Sequence, residues 1–338
     1  MLRNRIAVDL GTAYSIVADS YSENFKRLAS SVAVEEATQK PIAFGDEAKL
    51  MSGRCPPGIE VIRPMRDGVI IDFKITNSYL SYLVKSIDRF PWLFKKDVYL
   101  CIPWGATHVE VKAYVKGLSR FNRRVFLVKE PFAAALGAGK DIFSSKPMTI
   151  VDMGGGTTEI ATLSAGFMLK ATSLRLAGTS CDQKIMDGLK RLYDFEVGVL
   201  MAEELKMDHA SVWPLQEDYF VEVKGFERQS HLPKSLLVST ADLRSFLEPL
   251  AVRVENAIVE HVESLSSYAL DVLKEEGLIL TGGTSLLRGW AERLEKRLEL
   301  PVRLAPEPLL SVIRGLKKMI ERPRDFKRIV QLSMEVFR

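Results

Sequence analysis

The chain has 338 residues, 47 basic and 43 acidic, for a formal charge of +4; at about 150 residues per domain this length predicts two domains, each able to bury a core. So slight and evenly mixed a charge excludes a nucleic-acid binder driven by phosphate attraction, while three separated cysteines exclude a disulfide framework and point to a reducing compartment. The four histidines stand singly, without zinc spacing, and no uncharged run approaches the roughly 20 residues of a membrane helix.

The basic start resembles that of a signal peptide, but Asp9 interrupts the apolar run behind it, so the expected location is cytoplasmic. Residues 8–18, from Val8-Asp-Leu-Gly-Thr onward, lie without gaps over 151–161, from Val151-Asp-Met-Gly-Gly onward. Each copy runs from a β-branched strand through an acid and a turn of small residues into a second apolar strand, the pattern of a β-hairpin. Residues 25–63 carry more charge and more breakers, Pro41 and Pro56-Pro57-Gly58 among them, and read as a small insertion. Tyr79, Leu80, Tyr82, Leu83 and Ile87 keep helical spacing over 77–88. A loop follows, Phe90-Pro-Trp-Leu-Phe-Lys-Lys, then strands at 98–102 and 124–128. Pro131 suits the first turn of a helix whose small residues, through Gly139, allow close packing at a hinge.

The second half repeats the scheme, with a strand at 149–152, a charged insertion over 183–238, helices at 246–265 and 290–298, and a strand at 278–281. Alternation of this kind implies layered α/β domains. The expected division is residues 1–137 as domain I, with core 1–30 and 64–137 around a small subdomain at 31–63. Domain II is 138–321, with core 138–182 and 240–321 around an insertion at 183–239, and 322–338 returns to domain I. The basic residues of 314–338 are either a solvated face or a contact with lipid or a partner.

A turn of Gly, Thr and Ser after a strand leaves backbone N–H groups pointing outward to cradle phosphate oxygens. Two such turns, one per half, can face each other across a cleft. Asp9 and Asp152 then hold equivalent places beside the phosphates, suited to a hydrated Mg²⁺ bound through its waters. Taken alone, Gly154-Gly155-Gly156-Thr157-Thr158 fits an ordinary tight turn equally well. A third turn, Gly282-Gly283-Thr284, follows an apolar strand; its glycines admit a ligand to the backbone or serve close packing. Glu130, at the start of the Pro131 helix, either stabilises the helix end or orients a water in line with a γ-phosphate.

The two phosphate hairpins, the Glu130-Pro131 helix and the Thr281-Gly-Gly turn, in this order, resemble the superfamily of actin, Hsp70 and sugar kinases. Within it, Phe44-Gly-Asp-Glu-Ala-Lys, Gly53-Arg, the segment 62–73 and Leu280-Thr-Gly-Gly through Gly289 resemble the MreB family of bacterial actins, over 6 to about 316. The resemblance implies an actin-like ATPase fold, with two duplicated RNase H-like domains around a nucleotide cleft. It also implies ATP and Mg²⁺ as ligands, slow hydrolysis coupled to polymerisation into paired filaments, attachment to the inner face of the cytoplasmic membrane, and cell-wall synthesis proteins as partners in setting cell shape. Gly11, Thr12 and Ala13 match the first phosphate loop, and Gly154, Gly155, Gly156 and Thr157 the second. Glu130 matches the residue that helps activate the attacking water, with Thr157 or Thr158 beside it. Glu203 and Lys206 match residues touching the adenosine, although their spacing equally suits an exposed helix pair. Trp92, Leu93 and Phe94 match a membrane foot, with Lys95 and Lys96 toward anionic head groups.

The chain departs from the family pattern at Tyr14, where Asn is common, at Lys129 and Thr179, where acids are, and at Thr284, where glycine is. These departures keep open a divergent actin that positions an organelle. A small-molecule kinase would need a further carboxylate beside an acceptor hydroxyl, and none stands out; an adaptor without hydrolysis sits poorly with Asp9, Glu130 and Asp152.

Overall fold

The computed structural model describes residues 4–88, 96–119, 124–230 and 232–332. Trp92, Leu93 and Phe94, the expected membrane foot, lie outside the described residues.

Two sheets repeat one plan. In the first, the hairpin of Asn4–Leu10 and Tyr14–Asp19 continues antiparallel into Lys26–Ala29 on one side and parallel into Lys96–Ile102 and Arg124–Lys129 on the other. In the second, Met148–Met153 and Thr158–Ser164 form the hairpin, Phe167–Leu174 lies antiparallel beside it, and Leu278–Thr281 and Val302–Leu304 follow in parallel. The hairpin registers coincide: Asp9 faces Ile16 where Asp152 faces Glu159. Every residue of Lys96–Ile102 and Leu278–Thr281 is buried, as parallel strands covered on both faces require.

Helices cover these sheets. Phe73–Ile87 starts at Asp72, whose carboxylate accepts the Ile75 N–H, a cap that stabilises a helix by about 1 kcal/mol. Its apolar stripe, Tyr79, Leu80, Leu83 and Val84, is buried in the core of the first half. Gly178–Tyr193 and Thr240–Glu263 close the core of the second. Two small sheets stand apart, one of Lys40–Phe44, Val32–Glu35 and Ile59–Ile62, the other of Phe195–Glu196, Phe220–Glu227 and Pro233–Ser239.

The halves join where Glu130–Gly137 crosses Ser311–Glu321. A Cβ at Gly137 would run into the Ser311 carbonyl, and one at Gly315 into the Ala133 carbonyl; glycine alone allows backbones this close.

The second of these helices precedes the expected boundary at 322. Ser311–Glu321 already lies on the first sheet, where Lys317 Nζ donates to the Asp19 carbonyl (2.9 Å) and Arg5 Nη1 to that of Ile320 (3.2 Å). Val312, Ile313, Leu316, Met319 and Ile320 form its buried face; an amphipathic pattern specifies such a face without saying which sheet receives it. The chain then adds Gln331–Leu332 antiparallel to Arg124–Lys129 as a sixth strand. Part of the basic run is held internally: Arg314 pairs with Glu307, Lys317 with Glu321, and Lys318 donates to the Leu136 carbonyl.

Candidate functional site

Between the two hairpin turns lies a cavity of ≈350 Å³, lined by Gly11, Thr12 and Ala13 from one side and Gly154, Gly155, Gly156 and Thr157 from the other. The turns touch: a Cβ on Gly155 would fall 2.9 Å from that of Ala13. Gly282, Gly283 and Thr284 line the same cavity from the turn after Leu278–Thr281. The helix Gly178–Tyr193 begins behind the second turn, its first amides donating to the carbonyls of Gly154 (3.2 Å) and Gly155 (2.8 Å).

Asp9, Asp152 and Glu130 also line the cavity. Burial pushes the carboxyls of Asp9 and Asp152 up to about 7, and for Asp9 the charge of Asp152 adds to it. Glu130 is held well above the usual carboxylate range, first by burial, then by repulsion from Glu159, Asp9 and Asp152. Anions crowded into a poorly solvated site favour their neutral forms unless a cation joins them. The residues present therefore fit a divalent cation held through its waters between Asp9 and Asp152, and outward-facing glycine amides fit the phosphates it would accompany.

At the other end, Glu203 and Lys206 project into the cavity from the helix Val199–Asp208. They are not the exposed pair that their spacing also allowed. Lys206 Nζ pairs with Asp182 (2.6 Å) and donates to the Gly178 carbonyl (3.1 Å). Glu203, buried, accepts from Lys49 of the first half's insertion at 2.6 Å. The same ammonium donates to the Tyr14 hydroxyl (2.6 Å), and the Arg27 guanidinium covers the Tyr14 ring at 3.7 Å. Lys49 thus crosses the mouth of the cleft.

One expected residue is not brought in. Thr158 is buried, with its hydroxyl donating to the Leu176 carbonyl at 2.7 Å. Successive strand side chains point to opposite faces, so with Thr157 toward the cavity Thr158 turns away.

Three neighbours are not among the residues expected at the site: Glu159, Asp182 and Lys49. Glu159 is buried, accepts the Trp104 N–H at 2.7 Å, and is pushed up to about 7 by burial and the charge of Asp152. The repeat carried a signal for it, since the first copy has Ile16 in that place. Asp182 lies one helical turn after Gly178, too weak a signal alone. Lys129, a departure from the expected acid, donates to the Pro103 and Trp104 carbonyls (both 3.4 Å), and burial lowers its affinity for a proton.

Comparison with known proteins agrees with this architecture. The family model described as MreB/Mbl protein matches residues 3–328. The cell shape-determining protein Mbl of Bacillus cereus is 34% identical over 322 residues, covering 95% of this chain and 97% of its own. The cell shape-determining protein MreB of Escherichia coli is 32% identical over 327 residues, covering 95% and 94%. MreB5 of Spiroplasma citri, solved bound to ADP, superposes with a TM-score of 0.90 at 27% identity, covering 96% of this chain and 98% of that one; its AMPPNP-bound structure gives 0.89. The duplicated sheets, the facing turns and these likenesses agree: the chain is a member of the MreB/Mbl family, with the actin-like ATPase fold.

Proposed function

We propose that this protein binds ATP with Mg²⁺ in the cleft, hydrolyses it slowly, and uses it to govern assembly with copies of itself into paired filaments. The observation that carries this reading is the pair of glycine turns, one from each half, facing across a cavity beside paired buried carboxylates. The Spiroplasma citri relative, bound to ADP and to AMPPNP in its structures, supports the choice of adenine nucleotide.

Bound Mg²⁺ would offset the carboxylate charge and the charge that builds on the phosphates. The chain's own residues do the rest. Amides of Gly11–Ala13 and of Gly155 and Gly156 hold the phosphates from opposite sides, Glu203 and Lys206 hold the nucleoside end, and Asp9 and Asp152 would hold the waters of the metal. Glu130, once ionised, orients a water and takes its proton on a carboxylate oxygen, with the Thr157 hydroxyl fixing the geometry.

Both turns must close on one ligand, so ligand and inter-half angle are linked through the crossing helices Glu130–Gly137 and Ser311–Glu321. Assembly that selects the closed form must, by the same linkage, tighten ATP binding. The mobile halves are domain I and domain II of the expected division, with the helix from Ser311 assigned to domain I.

We place the filament on the inner face of the cytoplasmic membrane, directing cell-wall synthesis proteins, with Trp92, Leu93 and Phe94 as the foot. Among the described residues no helix is long and apolar enough to cross a membrane, and many weak feet on one filament attach it firmly. Sedimentation with ATP and Mg²⁺, with and without anionic vesicles, tests the proposal: pelleted filaments, enriched on vesicles, are expected, and a monodisperse monomer at high concentration overturns it.

A further inference from the structure

The carbonyls of the second turn are saturated from behind. The Gly154 oxygen accepts the Gly178 N–H (3.2 Å) and the Thr284 hydroxyl (2.7 Å). The Gly155 oxygen accepts both the N–H (2.8 Å) and the hydroxyl (2.9 Å) of Thr179. A carbonyl oxygen has two lone pairs, so each is fully engaged. In a planar trans peptide the C=O and the following N–H point in opposite directions. Tying these two oxygens back therefore turns the amides of Gly155 and Gly156 forward. Among the described residues neither amide donates to any protein acceptor, and both glycines line the cavity. Backbone donors left unpaired in a folded interior are rare, and a pair of them side by side marks a place for an anion.

We infer that Thr179 and Thr284 are positioning residues, whose hydroxyls lock the second turn with its free amides aimed at the phosphate chain. The inference rests on the nucleotide reading of the cleft and deepens it. The two hydroxyls arrive from different elements, Thr179 from the first turn of the helix Gly178–Tyr193 and Thr284 from the turn Gly283–Leu286. The first turn is built alike, with the Ser30 hydroxyl on the Gly11 carbonyl (2.6 Å) and the Ser30 N–H on that of Ala13 (2.9 Å).

The test is equilibrium binding of ATP, ADP and adenosine, the last by competition, to the whole protein with Mg²⁺. Thr179→Val and Thr284→Val remove the hydroxyls at nearly constant shape; Thr179→Ser and Thr284→Ser keep them. A lost hydrogen bond of ordinary strength weakens ATP and ADP about fivefold, leaves adenosine within about twofold, and is restored by serine. A role in general stability alone would weaken all three together, and that result, or unchanged ATP affinity, overturns the inference. Should Thr284→Val not fold, Thr179→Val, on a half-buried first helical turn, gives the same reading. Wild-type protein that binds adenosine but neither nucleotide refutes the inference directly; wild-type protein that binds none refutes the nucleotide reading and the inference with it.

Discussion

Glu159 offers a stability test of the carboxylate cluster that needs no ligand. Its side chain is buried, with Oε1 taking the Trp104 N–H at 2.7 Å. Burial and the charge of Asp152 raise its carboxyl from 4.5 to about 7, which corresponds to about 3 kcal/mol between charged and neutral forms. A group whose folded value exceeds its unfolded one favours the fold below the unfolded value and loses that benefit as pH rises through the folded one. In the protein without nucleotide, ionising Glu159 therefore costs nothing at pH 4 and nearly the full amount at pH 8. Glu159→Gln keeps an acceptor for Trp104 and removes the charge. We expect the variant to be more stable than wild type by about 1–3 kcal/mol at pH 8, the range allowing for a weaker bond to Trp104, with little difference at pH 4. Urea denaturation at the two pH values measures the gap, and in a thermal scan it amounts to roughly 4 °C at most for a chain of this length. A variant less stable than wild type at pH 8, or a gap equal at both pH values, refutes the reasoning.

Replacing Glu130 by Ala should slow phosphate release at least tenfold while sparing ATP affinity; an unchanged rate removes its role. Lys49→Ala opens the bridge from Tyr14 to Glu203, and a chase with unlabelled ATP should show nucleotide leaving about fivefold faster or more; equal rates would mean that the bridge does not limit release. His261, buried between the Thr162 and Thr172 hydroxyls, is lowered from 6.5 to about 4 by burial and Lys170. It is neutral in the fold, so its contribution is whole above pH 6.5 and is lost by about 3 kcal/mol as pH falls to 4. His261→Asn should flatten the stability profile across that window, and an unaltered slope would contradict the assignment.

Much of the cleft was legible because the chain writes its hairpin twice, with Asp9 over Asp152 and Gly11 over Gly154. Pro131 marked the start of the crossing helix, since a residue without an N–H belongs in a first turn. Thr158 faces away from the cavity, as alternation along Thr158–Ser164 from Glu159 requires. Glu159 stands where an acid replaces Ile16 of the first copy, a place at which identity between the copies carries no signal. Lys49 and the helix Ser311–Glu321 were not legible in this way: the contact of Lys49 with Glu203 spans 154 positions, and the helical pattern at 311–321 shows a buried face without naming its sheet. The hydroxyls of Thr179 and Thr284 were visible as departures from the family pattern, but their bonds to adjacent carbonyls exist only in the folded turn.

The central claim is that one nucleotide is gripped by turns from both halves. A crystal structure with AMPPNP and Mg²⁺ tests it most directly. The account predicts the phosphate chain between Gly11–Ala13 and Gly154–Thr157, with the amides of Gly155 and Gly156 on its oxygens and the metal's waters on Asp9 and Asp152. Phosphates bound away from these turns, or turns occupied by side chains with the nucleotide elsewhere, would contradict it.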